Sequence, residues 1–225
     1  MAARQVAPLV GWIVGALLSA GILGAAFGPP FFAVGLACGL AATAWVVLWL
    51  PRAAHAAFEA SRYDRALRRY RWIGALAFTR HRARAALLSR AACHLAAGRA
   101  ADAAPLLATI DAGELDASER VVWLNNRACT LLDTGDDAPA ALALVEEATA
   151  LRPDVPAIQH TRGRALLAVG RLDDAIGVLD AMRLAGELPP RLEAERCRDL
   201  AVAWERKGQA EYAADYRDRA RLVAS

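Results

Sequence analysis

The sequence predicts an all-α protein: a two-helix transmembrane hairpin followed by a longer array of helix-turn-helix units. Three observations predict it. No charged residue lies between Arg4 and Arg52, whereas the rest of the 225-residue chain is densely charged. Beyond that boundary Ala, Leu and Arg dominate and no strand-type alternation is sustained, a pattern that favours helix. Finally, a glycine followed five or six residues later by an alanine recurs at near-constant intervals. The overall 56% of hydrophobic residues is high for a soluble chain, and its uneven distribution assigns the excess to a membrane segment.

Val6 to Gly28 supplies 23 uncharged residues and Phe31 to Leu50 another 20. Each suffices to cross ~30 Å of hydrocarbon at ~1.5 Å of helical rise per residue. Gly28-Pro29-Pro30 between them breaks the helix and is too short for anything but a tight reversal. The two spans, about 6–28 and 31–50, therefore run antiparallel, and residues 1–51 form an anchor ahead of a domain covering 52–225. From Arg52 to Arg84 there are nine Arg against two acids, Glu59 and Asp64, while the reversal carries no charge. The positive-inside rule then places both termini in the cytoplasm. Trp12, Trp45 and Trp49 suit the interface on that side. The compositional bias toward arginine, with Lys207 the only lysine, points to a membrane of the bacterial inner-membrane type. Gly11, Gly15 and Ser19, with Gly35, Gly39 and Thr43, recur at four-residue spacing and would form the contact seam. A cleaved signal peptide is the competing reading of the first segment. A single Arg4 ahead of it, its length and the immediate second span argue against cleavage.

The glycine-alanine pairs after the anchor are Gly98 with Ala103, Gly170 with Ala175, and Gly208 with Ala213; Gly135 with Ala141 has one inserted residue. Ser61 with Ala66 is an earlier copy with Ser at the turn. Successive turns lie 37, 37, 35 and 38 residues apart. A glycine ends a helix in a conformation that a β-carbon disfavours, and an alanine lets two helices of a hairpin cross closely. Large residues follow four of these alanines one turn later, at Tyr70, Leu107, Val145 and Leu179. Each hairpin leaves an apolar face that the next one covers.

This pattern resembles the tetratricopeptide repeat (TPR), a helix-turn-helix unit of about 34 residues. Val121–Val155 carries Leu124, Ala128, Leu131, Gly135, Ala141, Val145, Ala148 and Pro153 at signature positions. Pro156–Pro189 carries Gly163, Leu166, Gly170, Ala175 and Leu179. A third copy begins at Ala194 with Leu200, Ala201, Trp204, Gly208, Ala213 and Ala220, and Arg84–Ile110 is a fourth. The stretch before it, with Arg62-Tyr63-Asp64-Arg65-Ala66-Leu67, matches only the turn and second helix. The resemblance covers the chain after the anchor and implies an α-solenoid of about four to five units. The longer joints, Asp111–Glu119 and Arg183–Arg191, depart from strict tandem spacing.

No catalytic, cofactor or metal constellation is legible. His55, His81, His94 and His160 are scattered without ligand spacing, no phosphate-binding glycine loop occurs, and Cys38, Cys93, Cys129 and Cys197 stand alone on apolar faces as expected of buried reduced thiols. Asp136-Asp137 and Asp173-Asp174 sit at helix starts, where acids are stabilising. The expectation is therefore a non-enzyme without small-molecule substrate. Arg68, Arg69, Tyr70, Arg71 and Trp72 interleave charge with aromatics, as a nucleic-acid surface does. Their position beside the anchor favours lipid head groups instead.

The TPR resemblance implies that a protein partner's peptide or helix docks on the first helix of each unit. Carried over by register, that face comprises Leu88 and Ala92; Asn125, Cys129 and Asp133; His160, Arg164 and Ala168; and Arg198, Val202 and Arg206. His160 and Arg164 resemble half of the carboxylate clamp of some family members. The positions of the other half hold Leu88 and Ala92, so a complete clamp is not expected. The function anticipated is a membrane-anchored scaffold or adaptor. Its alternatives are a structural subunit bracing a membrane complex through the hairpin and, less favoured, a membrane-tethered nucleic-acid binder.

Overall fold

The structure, a computed structural model, describes residues 2–184 and 186–224, with side chains from residue 10 to 184 and 186 to 223. The Arg4 side chain, the side chains at the start of the 6–28 stretch and Ala185 within the second long joint lie outside the described residues. All regular structure among the described residues is helical. The chain divides into two compact units, Met1–Leu106 and Leu107–Ser225.

The first unit begins with α1 (Ala2–Phe27) and α2 (Pro29–Ala44), joined through Gly28 alone. Gly28 takes φ 95°, open to glycine at little cost, and Pro29 and Pro30 start α2 where their missing N–H groups would be unbonded anyway. The seam between the helices differs from the one expected from four-residue spacing. A β-carbon on Gly39 would lie 2.5 Å from Cβ of Ala16, and one on Gly35 would lie 3.1 Å from Cα of Ala20. Gly15 has no neighbour within 4 Å at that position, and Gly11 faces Phe78. Ala16 and Ala20 thus form the α1 side of the contact in place of Gly15 and Ser19, because α1 is rotated by one residue from that register.

Past Ala44 the helix continues through a π-helical turn, Trp45–Trp49, into α3 (Leu50–Glu59). Residue 51 therefore lies inside one continuous helical segment. α3 packs on α4 (Tyr63–Ala75), and Leu50, Ala54, Ile73 and Ala86 form one core cluster while Ala57, Ala66, Leu67 and Cys93 form another. Tyr70 packs against both. The end of the second apolar helix is thereby the first helix of the first hairpin. α5 (Arg80–Ala96), N-capped by Thr79, and α6 (Ala100–Ala108) follow.

The second unit contains α7 (Ala117–Thr134), α8 (Ala138–Leu151), α9 (Pro156–Ala168), α10 (Leu172–Leu184), α11 (Pro190–Arg206) and α12 (Ala210–Ala224). Consecutive pairs form three hairpins. Asp116 and Glu119 close a reciprocal cap on α7, which holds the end of the joint that begins at Asp111.

One construction recurs at five turns. Gly98, Gly135, Gly170 and Gly208 adopt φ of 70–81°, and Ser61 takes 55°. At each, the amide of the next residue donates five residues back: Arg62 to Ala57, Arg99 to His94, Asp136 to Leu131, Arg171 to Leu166 and Gln209 to Trp204, at 2.8–3.2 Å. This closure satisfies carbonyls at the helix end. The alanine that follows donates to the residue capping the next helix: Ala66 to Arg62, Ala103 to Arg99, Ala175 to Arg171, Ala213 to Gln209. Ala141 does the same with Asp137, which lies one residue further from its glycine. The insertion is confined to Asp136, and the alanine keeps its place relative to the helix start. All five alanines are 0% exposed. These closely crossing hairpins are TPR-like.

Candidate partner-binding face

In the second unit α7, α9 and α11 pack side by side, so the first helices of the three hairpins share a face. The polar residues anticipated on it are largely engaged by other groups of the chain. Arg164 on α9 donates through Nη2 to Oδ1 of Asp133 on α7 at 2.5 Å. Burial opposes the Arg164 charge, yet the hydrogen bond and charge of Asp133 outweigh it and raise its pKa above the ordinary value. His160 is buried, with Nε2 2.8 Å from Oδ2 of Asp199 on α11. Arg206 donates to the carbonyl oxygen of Leu167 at 2.8 Å, a favourable arrangement because Leu167 lies at the electronegative C-terminal end of α9.

Two neutral groups complete the row. Cys129 Sγ lies 3.4 Å from Thr161 Oγ1, and burial pushes its thiol pKa upward. Asn125 is half-buried, and its Oδ1 is enclosed without a hydrogen-bond partner among the described residues. Arg198 differs from the other cations. It is exposed and has no hydrogen bond or ion pair among the described residues. Val202, one turn along α11, and Val122 on α7 are exposed apolar residues.

The face is therefore less open than the helical register implied. Asp133 and Arg164 neutralise each other, and His160 faces a carboxylate instead of solvent. Leu88, in the first unit, is buried, so it is a core residue and no lining of an open surface. Asp199 and Thr161 were not foreseen, since residues 31–39 apart in sequence carry no local signal of pairing. Arg196 was also missed: it is buried on α11, bonded twice to Glu193 at 2.7 Å and once to the Leu179 carbonyl at 3.2 Å. The three-residue spacing of Glu193 and Arg196 on a helix was the available signal.

The turn aspartates are structural. Asp137 accepts from Ala140 N at 2.9 Å, Asp174 pairs with Arg171, and Asp173 pairs with Lys207. Cys93 and Cys197 are buried, and burial raises both thiols to about 11. Cys38 is exposed on α2, which corrects the expectation that all four thiols are interior.

No protein-family model matches this sequence, and no curated protein matches it either. Solved structures of MamA are loosely similar in fold. MamA AMB-1 has 19% identity and a TM-score of 0.48, covering 79% of this chain and 98% of that one. MamA MSR-1 has 17% identity and a TM-score of 0.47 over 79% and 95%. A further MamA crystal structure has 18% identity and a TM-score of 0.45 over 76% and 94%. The repeat character of the present chain rests on its own turns and crossings.

Proposed function

We propose that this chain is a non-enzymatic, membrane-anchored adaptor. α1 and α2 cross a bacterial-type inner membrane as a hairpin with both termini cytoplasmic, and the face shared by α7, α9 and α11 holds an acidic peptide or helix of a partner protein. The observation that carries the reading is an open cation on that face. Arg198 stands one turn from exposed Val202, a combination suited to a charge-assisted hydrogen bond beside an apolar contact. The membrane part is supported by the outward faces of α1 and α2. Val14, Leu18, Ile22, Phe31, Val34 and Leu40 are exposed there, a concentration of apolar surface that water disfavours.

A bracing role, in which another membrane protein covers those same apolar residues, is favoured by that second observation alone. Tagged full-length chain purified in mild detergent separates the two. Arg198→Glu combined with Val202→Glu should release the partners, while Gly39→Leu, which opens the hairpin, should keep them. The reverse pattern would replace the adaptor reading with bracing. A cysteine introduced near Pro30 into cysteine-free protein should react with an impermeant thiol reagent on intact cells, and one near the C-terminus only after lysis. Reaction of the C-terminal site on intact cells would reject the topology.

A further inference from the structure

Where α2 gives way to α3, a cleft of about 340 Å³ opens against α4, lined by Trp45, Trp49, Trp72, Arg65, Arg68 and Arg69. We propose that this cleft binds the phosphate head group of an anionic phospholipid, with its acyl chains lying along α2. The proposal rests on the membrane reading above and adds a specific ligand site to it.

The charge in the cleft is open. Arg65 and Arg68 are exposed and make no hydrogen bond or ion pair among the described residues. Arg69 donates to the Ala53 carbonyl at 2.6 Å, and its guanidinium lies 5.6 Å from the Trp49 ring centroid. That arrangement holds one cation against the wall beside the two open ones. No acid lines the cleft. The two acids of this stretch are engaged elsewhere, Asp64 with Arg99 at 2.8 Å and Glu59 with His55 at 3.8 Å. Paired guanidinium groups match the oxygens of a phosphate by geometry as well as by charge.

The aromatic and apolar surroundings favour a lipid as the source of that phosphate. Trp45, Trp49 and Trp72 are 44%, 51% and 59% exposed, and Trp45 and Trp49 stack with centroids 5.9 Å apart. Exposed indoles beside arginines are characteristic of the boundary between hydrocarbon and head groups. Val34, Cys38, Ala41, Trp45 and Leu48 recur at three- and four-residue spacing and are all exposed, so an apolar stripe along α2 and the π-helical turn runs directly into the cleft. A soluble phosphate would use the arginines and leave this stripe unused.

The test uses full-length protein in phosphatidylcholine vesicles containing a minor fraction of brominated lipid, which quenches tryptophan on contact. Brominated phosphatidylglycerol should be enriched at the protein on the order of tenfold over brominated phosphatidylcholine, two unpaired arginines acting on one phosphate. Equal quenching by the two lipids would overturn the proposal, and this comparison needs wild-type protein only. Arg65→Gln with Arg68→Gln should remove the excess quenching; an excess that survives places the lipid elsewhere and rejects the cleft. Soluble glycerol phosphate added in excess should leave the signal unchanged, whereas displacement would assign the cleft to a soluble phosphate and reject the lipid. Flotation after an alkaline carbonate wash separates the two levels of the reading. Protein lost from the vesicles overturns the anchor, and floating protein with equal quenching overturns the head-group site alone.

Discussion

Arg82 on α5 donates through Nη2 to the main-chain carbonyl oxygen of Val46 at 2.7 Å, 36 residues away in sequence. The need for that donor follows from local chemistry. In the π-helical turn the Leu50 amide bonds to the Trp45 carbonyl, so it is not available to Val46. The next amide along would belong to residue 51, a proline, which has no N–H. Val46 is left with an unbonded carbonyl in a buried place, and the guanidinium fills the gap. Burial lowers the Arg82 pKa from its ordinary value, and the group remains charged at neutral pH.

Replacing Arg82 by Met should therefore cost about 1–3 kcal/mol, the usual penalty for stranding a buried acceptor. Pro51→Ala restores an amide to the helix and should reduce that cost by at least half. Thermal unfolding in detergent of wild type, both single variants and the double variant measures the coupling. Additive effects would show that Arg82 is not compensating for the proline.

The membrane hairpin should respond unequally to two chemically identical changes. Gly39→Leu drives a side chain into Ala16 and should destabilise by about 1–3 kcal/mol or more. Gly15→Leu meets open space and should leave the protein within about 0.5 kcal/mol of wild type. Protease resistance of the detergent-solubilised protein reports both. Equal sensitivity would return the seam to the glycine register.

Arg164→Glu places a second carboxylate against Asp133 and should destabilise by about 1–2 kcal/mol, since the pair is about one-quarter to one-third exposed and therefore partly screened. Adding Asp133→Arg should recover most of the loss. Arg198→Glu should leave the melting temperature nearly unchanged, within about 0.5 kcal/mol. This separates the two arginines experimentally: one braces helices, the other is free for a ligand. Matching melts for Arg164→Glu and Arg198→Glu would contradict the assignment.

Alkaline pH should expose the buried thiols. Cys93 and Cys197 are raised from the ordinary 9.0 to about 11 in the folded chain. The folded state thus holds these protons more tightly than the unfolded one. The associated stability is complete below pH 9 and is lost as pH rises through 11. Tyr70 and Tyr216, also raised by burial, add to the loss in the upper part of that range. The Cys93→Ala, Cys197→Ala variant should lose less melting temperature between pH 9 and 11 than wild type. Parallel pH profiles would exclude the thiols as its source.

The all-helical fold and the hairpin repeat were legible because they depend on residues with unusual steric properties at short range. Gly170 and Ala175 fix a turn and a crossing within six residues, whatever the rest of the chain does. The seam of the apolar hairpin was harder. Small residues recur every four positions in both rows, Gly15 with Ser19 and Ala16 with Ala20, and the rotation that chooses between them is decided by contact with α2. The boundary after residue 51 rested on the onset of charge at Arg52, and Pro51 beside it interrupts an α-helix. A π-helical turn and Arg82 together absorb the interruption, and neither is visible from the proline. The polar face was legible as positions but not as partners. Whether Arg164 meets solvent or Asp133 depends on the spacing between two helices 31 residues apart in sequence.

The uninterrupted passage from α2 into α3 gives the molecule a stiff strut in place of a flexible tether. Pro29–Glu59 is 31 residues, roughly 46 Å long at ~1.5 Å per residue, against a hydrocarbon layer of ~30 Å. With the hairpin seated in a bilayer as proposed, about one-third of the strut stands clear of the lipid, and that third is the helix on which α4 packs. There is no slack between them. Membrane thickness, which sets the inclination of a spanning helix, then becomes a mechanical input that tips α4 and α5 like a lever on a fulcrum.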